Sequence, residues 1–371
     1  MNGQPKQRRA RVTMVGAFPP PVHGMAATNA AVRDQFVAAG ATTRVIDVSA
    51  NTLASSLASR LERLPKIGSA ALGLLFGGHR SGDPLYMSMS GGLGQLYEIL
   101  FILCARLRGL RLYLHHHSFA YLDTPNLVSW FLVLAAGRSA VHITLSRHMA
   151  ERLQQLYRVR RASPVSNTVF LPGPQSVDFP DRIRLGTVGF MSNLSLEKGL
   201  FEFFNLAADM QRSGMPVKAS LAGPFQDART EEQARARLTD IDNVEYVGQK
   251  YGEEKDVFYS DIDVFIFPTL YRNEAEPLVI HEAMSRGIPV IAYGRGCIPE
   301  MIGSDSGLVI DPSVPFDPPA LATIQEWIHA PESYRRASRS ARAQFASCVA
   351  DSTRVWHSLL EEILGTEETP R

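Results

Sequence analysis

The sequence predicts an α/β protein made of two doubly wound domains, each a parallel sheet covered by helices and facing the other across a cleft. Short apolar segments alternate throughout with longer amphipathic segments of helical period, which is the pattern of parallel α/β sheets. The length of 371 residues exceeds what one simple core fills, and suits two domains of roughly 150–200 residues each.

The first series of strands opens close to the N-terminus. RVTMVGAF (11–18) has the composition of a buried strand; a turn-rich segment and a helix ending at Gly40 follow it. Four further segments predict strands, each followed by a helical stretch: 42–49, 84–90, 111–117 and 139–146.

The second series begins at RIRLGTVGFMS (182–192). Its other predicted strands are 217–225, 243–249, 264–269 and 289–294.

Residues 163–183 have little helical periodicity and several Pro, Ser and Asn residues, so they predict the linker between the two domains. We therefore expect a domain at 1–173, closed by a C-terminal helix at 352–371, and a second domain at 174–351. Ligands of doubly wound sheets bind at the carboxyl ends of the strands, which favours the cleft between the domains as the site.

Charge is divided unevenly along the chain. The net charge is +1, but residues 1–180 carry 19 Lys/Arg against 8 Asp/Glu, while residues 181–371 carry 19 against 29.

Three cysteines without a CxxC pair argue against a disulfide framework and for a reducing, cytoplasmic setting. Two apolar runs, 96–107 and 127–137, are too short to span a bilayer, and their lengths predict buried helices.

Residues 267–302 contain the largest group of candidate ligand-binding residues in the sequence. Glu274 and Glu282 follow a predicted strand and enter a helix, and a carboxylate can accept two hydrogen bonds from adjacent sugar hydroxyls without a metal. The N–H groups of Leu278 and Val279 open that helix and could hold a phosphate through the helix dipole, whereas Pro277 has no N–H.

This whole segment resembles the donor-binding signature of retaining glycosyltransferases of family 4, which have the GT-B fold. Other stretches resemble the same family in the same order. They are PPPVHGMAATN (19–29), HHHSFA (115–120), VHITLSRHMAERL (141–153), GFMSNLSLEKGL (189–200), and NVEYVGQ (243–249) followed by FYSDIDVFIFPT (258–269). The resemblance implies a retaining hexosyltransferase that uses a nucleotide-diphosphate sugar in cell-surface polysaccharide assembly.

The resemblance also implies roles for individual residues. Glu282 would bind the ribose hydroxyls and Glu274 those of the transferred sugar, while Lys198 and the amides of Leu278 and Val279 would hold the diphosphate.

Two further roles fall in the N-terminal half. Gly24 would let the first loop approach the phosphates closely, because it has no side chain. His117 would lie beside the anomeric carbon, with His115 on the same face of the strand and His116 on the other.

The sequence departs from the family at two places. Many relatives have an arginine after the glycine equivalent to Gly189, where this chain has Phe190; Asn193 and Arg295 could supply the missing contact to the diphosphate. The usual Gly-Phe-Gly of the glutamate motif is here Ala275-Glu276-Pro277, which bears on loop geometry and sugar preference.

No metal site is expected. The pair Asp261 and Asp263 precedes a buried strand, where Asp263 is interpreted as bracing a turn, and the isolated His79, His148 and His281 lack metal spacing. The cationic phosphate site makes a divalent ion unnecessary, so no cofactor is expected beyond the sugar-nucleotide substrate.

Two other functions share much of this pattern: a nucleotide-sugar epimerase of similar two-domain fold, and a non-catalytic sugar- or lipid-binding protein. The expected partners are a nucleotide sugar and a saccharide or polyprenyl-linked acceptor, with no nucleic acid. The amphipathic segment 55–80 has either an ordinary packing role or contacts an anionic membrane, which would place the protein at the inner face of the plasma membrane.

Overall fold

A computed structural model describes residues 10–20, 24–49, 63–171 and 182–365 of the chain. The chain divides into two compact units, one formed by residues 1–171 with 351–371 and the other by residues 172–350. Residues 55–62 of the amphipathic segment 55–80, and residues 172–181 of the predicted linker 163–183, lie outside the described residues.

The first unit contains a parallel six-stranded sheet. Its strands are β1 (Arg11–Gly16), β2 (Thr42–Asp47), β3 (Pro84–Met89), β4 (Arg111–His116), β5 (Val141–Thr144) and β6 (Ala162–Pro164), in the order β2-β1-β3-β4-β5-β6. Its helices are α1 (Gly24–Ala38), α2 (Leu64–Phe76), α3 (Gly94–Leu107), α4 (Ala120–Asp123), α5 (Leu127–Ala136) and α6 (Arg147–Tyr157), and a 3₁₀ turn spans Asn167–Phe170. All six residues of β3 are buried, as expected of a central strand covered on both faces.

The second unit repeats this architecture. Its strands are β7 (Thr187–Met191), β8 (Lys218–Ala222), β9 (Val244–Tyr246), β10 (Val264–Phe267), β11 (Val290–Tyr293) and β12 (Gly307–Ile310), all parallel in the order β12-β11-β10-β7-β8-β9. Its helices are α7 (Leu200–Arg212), α8 (Ala228–Asp240), α9 (Glu253–Ser260), α10 (Leu278–Ser285), α11 (Ile298–Ile302) and α12 (Asp317–His329). The last helix, α13, runs from Pro331 to Leu364.

These two sheets confirm the predicted fold class, and every strand predicted from the sequence is present. The sequence missed β6 and β12. Both are short edge strands, of three and four residues. The segment of β6 lacks an apolar run, and that of β12 has only three consecutive apolar residues after a glycine, which is short for a strand signal.

The two apolar runs predicted as buried helices form α3 and α5, but the burial prediction is wrong for one side of each. Phe101 and Ile102 of α3 and Leu132 of α5 join the core against the sheet, whereas Leu103 is 46% and Leu134 is 57% exposed. Within the described part of the chain, none of the helices combines the length and apolarity that a bilayer span requires.

Candidate functional site

The candidate site of the second unit lies at the carboxyl edge of three neighbouring strands. β7, β10 and β11 are adjacent in the sheet and run parallel, so the loops that follow them meet at one edge. Lys198 follows β7, Glu274 follows β10 and Arg295 follows β11. The topology therefore brings two cations and a carboxylate to the same end of one sheet.

Lys198 and Glu274 form a direct ion pair there. The Lys198 ammonium lies 2.5 Å from Oε2 of Glu274, and the Thr269 hydroxyl donates to the same oxygen at 3.1 Å. The ammonium also lies 4.7 Å from the ring centre of Tyr271, within cation–π range. Both side chains are largely buried, so this charge pair is held in a setting where its electrostatic interactions are little screened.

Two glycines let the three loops pack closely. Gly199 has φ +86°, and a Cβ at this position would lie 2.2 Å from the carbonyl oxygen of Pro268. Gly296 has φ +57°, and its Cβ would lie 2.6 Å from the carbonyl oxygen of Glu274. The N–H of Cys297 also donates to the carbonyl of Ala275 at 2.8 Å. Backbone contacts therefore fix the loops of Lys198 and Arg295 against the Glu274 loop.

Glu282 lies on α10 and has partners of its own. Its carboxylate forms an ion pair with Lys255 and accepts a hydrogen bond from the Tyr259 hydroxyl at 2.8 Å. Burial, followed by the nearby Glu282 charge, raises the pKa of Tyr259 well above its ordinary value, which keeps the phenol a donor. A carboxylate has about four acceptor positions, so Glu282 retains capacity for sugar hydroxyls.

The first turn of α10 presents backbone donors. Its N-cap residue is Pro277, whose side chain has no hydrogen-bonding atom, and Leu278 and Val279 are the first two helical residues. Their N–H groups have no acceptor within the helix, because the first four N–H groups of any α-helix point out of its end. This end of α10 is suited to an anion.

The segment Ala275-Glu276-Pro277, which replaces the Gly-Phe-Gly of the family pattern, is buried. Glu276 is 7% exposed, and its carboxylate pairs with Nε2 of His281 at 2.9 Å, in α10. This contact joins the loop to the helix that carries Glu282. Glu276 therefore fixes this loop to α10, at the position where the family pattern has phenylalanine.

The second departure, Phe190, points into the core. It is fully buried, packing against Phe203 and Phe267 with ring centres 5.4 and 6.2 Å away. Asn193 is exposed in the loop after β7, between the strand and Lys198. Asn193 and Arg295 both follow strands that end at this edge, so they stay the predicted replacements for the missing arginine.

Asp263 has a structural role, as the sequence analysis predicted, but it ties the start of β7 to the start of β10 instead of bracing a turn. Its Oδ2 accepts hydrogen bonds from the N–H groups of Gly186 and Thr187 at 2.8 and 2.9 Å, and Arg182 lies 3.3 Å from Oδ1. Among the residues that the structure describes, no group of three or more His, Cys, Asp or Glu side chains is arranged to hold a metal ion.

The three consecutive histidines of the first unit close β4. The rings of His115 and His117 have centres 4.1 Å apart and are tilted by 47°, which confirms that they share a face, while His116 faces His142 and Tyr121. Burial lowers the pKa of His115 and of His116 well below the usual value, with neighbouring histidines adding to the effect. His115 also pairs with the Tyr86 hydroxyl at 2.5 Å. His117 is only partly buried, and its backbone N–H donates to the backbone carbonyl of Met89.

Gly24 begins α1 and is exposed. A Cβ added at this position would meet no described atom within 4 Å, and its carbonyl accepts from the Thr28 hydroxyl at 3.1 Å. Packing within the described chain therefore does not itself require glycine here, and the predicted reason, close approach to a ligand, stays a prediction.

Several residues of the candidate site carry no clear sequence signal. Lys255 and Tyr259 precede Glu282 by more than twenty residues, and only the tertiary fold places them on its carboxylate. Thr269 could have been found, because it ends the predicted strand just before Glu274. The surface pocket between α7 and α8, lined in part by Leu196, Phe201 and Arg237, contains none of the predicted site residues.

Comparisons with known proteins agree with this architecture. Residues 184–344 match the model of the family described as Glycosyl transferases group 1. A crystal structure of Anabaena Alr3699/HepE in complex with UDP superposes with a TM-score of 0.66 at 16% identity, covering 94% of this chain and 99% of that one. Together these findings show a GT-B fold, with a segment of the second unit that matches glycosyl transferases group 1.

Two further solved structures have the same GT-B fold. Sucrose-phosphate synthase from Thermosynechococcus elongatus gives a TM-score of 0.67 at 18% identity, covering 95% of this chain and all of that one. A glycosyltransferase from Rickettsia africae gives 0.66 at 12% identity, covering 97% of this chain and all of that one.

A curated relative matches over a short segment. O-antigen chain mannosyltransferase B of Escherichia coli is 34% identical over 70 residues, which is 19% of this chain and 18% of that protein. The match therefore spans less than a fifth of the relative. The family match itself lies within the unit that holds Lys198, Glu274 and Glu282.

Proposed function

We propose that this chain is a retaining glycosyltransferase that moves a hexose from a nucleotide-diphosphate sugar to a saccharide or lipid-linked acceptor in cell-surface polysaccharide synthesis. The observation that carries the proposal is the buried contact between Lys198 and Glu274 at the carboxyl edge of β7 and β10. This contact puts an ammonium beside a carboxylate, shortly before α10 in the chain. We propose that Lys198 contacts the diphosphate and Glu274 the sugar hydroxyls.

The proposed chemistry needs stabilisation of a leaving group. Departure of the nucleoside diphosphate leaves an oxocarbenium-like sugar and places negative charge on the phosphate. Lys198, the N–H groups of Leu278 and Val279, and Arg295 are the groups proposed to stabilise that charge. When the donor binds, Lys198 exchanges part of its contact with Glu274 for the phosphate, which frees Glu274 to accept from the sugar.

Glu282 is proposed to hold the ribose. Its carboxylate is already oriented by Lys255 and Tyr259, so it needs little reorganisation to accept two hydroxyl groups. Gly24 and Asn193 are proposed to contact the donor phosphates, and His117 the transferred sugar near its anomeric carbon. Two similar proteins support the proposed activity: one is named a mannosyltransferase of O-antigen chains, and another was crystallised with UDP.

Nucleotide binding is tested first. A thermal-shift screen of nucleotide sugars is expected to find one donor that stabilises the protein, by about 2.7 kcal/mol when present at about 100 times its Kd. Incubation of that donor with candidate acceptors should then release nucleoside diphosphate, and NMR of the product should show the donor's anomeric configuration. Donor consumed without acceptor would instead indicate an epimerase, and binding without turnover a non-catalytic protein.

Variants separate the proposed roles. Glu282→Ala is expected mainly to weaken nucleotide binding in calorimetry, whereas His117→Ala is expected mainly to lower kcat. Activity is expected to survive EDTA, because protein cations and helix N–H groups take the place of a divalent ion. The reverse pattern of the two variants, or loss of activity on chelation, would contradict these assignments.

A further inference from the structure

Helix α3 carries a stripe of leucines on the side that faces away from the sheet. Leu96, Leu100, Leu103 and Leu107 are 42–80% exposed and repeat at intervals of three and four residues, so they line one side of the helix. The opposite side, including Phe101, Ile102 and Ala105, is buried in the core. The helix is therefore apolar on both sides, although only one side has packing partners in the unit.

Helix α5 carries a second stripe beside the first. Leu127, Trp130, Phe131 and Leu134 are 46–74% exposed, at the i, i+3, i+4, i+7 spacing of one helix face. The helices are joined near their starts, where the Ser129 hydroxyl donates to Gln95 at 2.7 Å, and near their ends, where Arg106 donates to Ala135 O at 2.8 Å. The two stripes consequently lie side by side, and these eight residues are called the apolar face.

The apolar face is unusual for this protein. Of the twenty exposed large hydrophobic side chains in the described part of the chain, twelve are on α2, α3 or α5 or at the residue before α3. They are the eight of the apolar face, Leu93 before α3, and Leu64, Leu72 and Phe76 on the adjoining helix α2. Scattered surface hydrophobics need no explanation, but a contiguous patch of this kind marks an interaction surface.

Charge on and beside the helices of the apolar face is mainly positive, and the exposed Asp123, shortly before α5, is an exception. The three helices contain one acidic residue, Glu98, which is 4% exposed and faces inward, whereas Arg106 is exposed on α3. Arg108 and Arg138 are exposed directly after α3 and α5, and Lys66 lies on α2. A surface of leucine and aromatic side chains bordered by cations complements lipid chains below a layer of anionic headgroups.

We propose that the apolar face docks on an anionic lipid bilayer, with its leucine and aromatic side chains in the headgroup–acyl boundary and the bordering cations at lipid phosphates. Trp130 suits this boundary, because indole combines a large apolar ring with one polar N–H. The surface differs from the segment 55–80 that the sequence suggested, since its centre is α3 and α5. The proposal is independent of the transferase activity, and it goes beyond it.

Sedimentation with vesicles tests the proposal. The full chain is expected to bind vesicles of phosphatidylcholine with phosphatidylglycerol, and to bind pure phosphatidylcholine vesicles or vesicles in 0.5 M salt several-fold more weakly. Leu100→Ser with Leu134→Ser is expected to reduce binding to anionic vesicles at least tenfold. The matched control, Val37→Ser with Val314→Ser, replaces exposed valines outside the apolar face and is expected to bind as the unchanged protein does.

Tryptophan fluorescence of the unchanged protein gives a second test that does not depend on a variant. Of the three tryptophans, Trp130 is 46% exposed, whereas Trp327 is 6% and Trp356 is 0% exposed. Anionic vesicles are expected to shift the emission to shorter wavelength, and brominated acyl chains are expected to quench it. Absence of both effects would overturn the proposal. So would a lipid-free dimer that Leu100→Ser with Leu134→Ser dissociates, because a second copy would then cover the face.

Discussion

The stability of the folded protein is expected to depend on the pairing of the buried Glu274 carboxylate with the Lys198 ammonium. Glu274 is 8% exposed, and besides the Thr269 hydroxyl its charge is matched by Lys198 at 2.5 Å. Lys198→Met leaves that charge uncompensated and is expected to destabilise the protein by about 2–3 kcal/mol. Lys198→Met with Glu274→Gln is expected to cost less than the two single changes added together, since no charge is then left alone. Urea unfolding of the four proteins measures the coupling, and additive effects would show that the two residues act independently.

The same cycle separates support of the fold from donor binding. Glu274→Gln keeps the acceptor for Thr269, so the loop is expected to remain folded, while Lys198→Met is expected to abolish the thermal stabilisation by a nucleoside diphosphate. If Lys198→Met loses stability but binds the nucleotide with unchanged affinity, Lys198 has a structural role alone.

Glu98 of the first unit is expected to make stability depend on pH. It is fully buried on α3 and accepts from the N–H and hydroxyl of Ser90 at 2.8 and 2.6 Å, and burial raises its pKa from 4.5 to about 7 despite these bonds and the nearby Arg63. The folded protein thus holds this proton more tightly than the unfolded chain. The associated stability is fully present below pH 4.5 and is lost as the pH rises to 7, by an amount on the order of 3 kcal/mol.

Glu98→Gln isolates this contribution. Glutamine keeps the carbonyl acceptor for Ser90 and removes the ionisation, so the variant is expected to be more stable than the unchanged protein at pH 8 and nearly equal to it at pH 4.5. Urea unfolding at the two pH values measures the difference between the proteins. An equal difference at both values would mean that Glu98 does not ionise between them.

At the scale of the elements, the turn between Lys198 and α7 depends on glycine. Gly199→Ala would combine an unfavourable φ of +86° with a contact of 2.2 Å to the Pro268 carbonyl oxygen, and both would have to relax by moving the Lys198 loop. We expect a loss of about 2–4 kcal/mol and weaker nucleotide binding. Gly214→Ala is the matched control, because Gly214 has φ +65° with nothing within 4 Å of its Cβ position.

The control distinguishes local strain from displacement of the site. Gly214→Ala is expected to cost about 1 kcal/mol and to leave nucleotide affinity unchanged. Unfolding and calorimetric titration of both variants give the comparison. Equal losses of stability, with full affinity in each, would show that the Lys198 loop does not depend on the close packing of Gly199.

The sequence predicted the position of an element wherever a local pattern of residues is enough to define that element. Strands such as β10 and β11 are continuous apolar segments, so their position followed from composition. The outward stripes of α3 and α5 could not be predicted, because a helix that is apolar all round has the composition of a buried helix, and only the finished packing shows which side lacks a partner.

For the whole molecule, the alternation of strands and helices sufficed to predict two doubly wound units, because each apolar strand must be covered by helices. The pairing of Lys198 with Glu274 could be anticipated in part, since both follow neighbouring strands. The contact of Glu276 with His281 could not be predicted, because it depends on a loop conformation without a sequence signature. The partners of Glu282 could not be predicted either, because they lie far from it along the chain.

The last helix, α13, has residues in both units, and Trp356 is its largest fully buried side chain in the first. It is fully buried, with ring centres of Phe36 and Phe170 at 5.9 and 5.0 Å, although its sequence position is far from both. Trp356→Ala is expected to destabilise by about 3–5 kcal/mol. Because Trp356 packs in the first unit, hydrogen exchange is expected to accelerate in β1 to β5 and to remain slow in β7 to β11.

Trp327 provides the reciprocal change, since it is 6% exposed on α12 and packs against Tyr334 in the second unit. Trp327→Ala is expected to accelerate exchange in β7 to β12 and leave β1 to β5 protected. Hydrogen exchange followed by mass spectrometry on both variants measures this separately for each unit. If either variant accelerates exchange in both units equally, α13 couples them into one cooperative structure, and a stability argument confined to one unit would no longer hold for this protein.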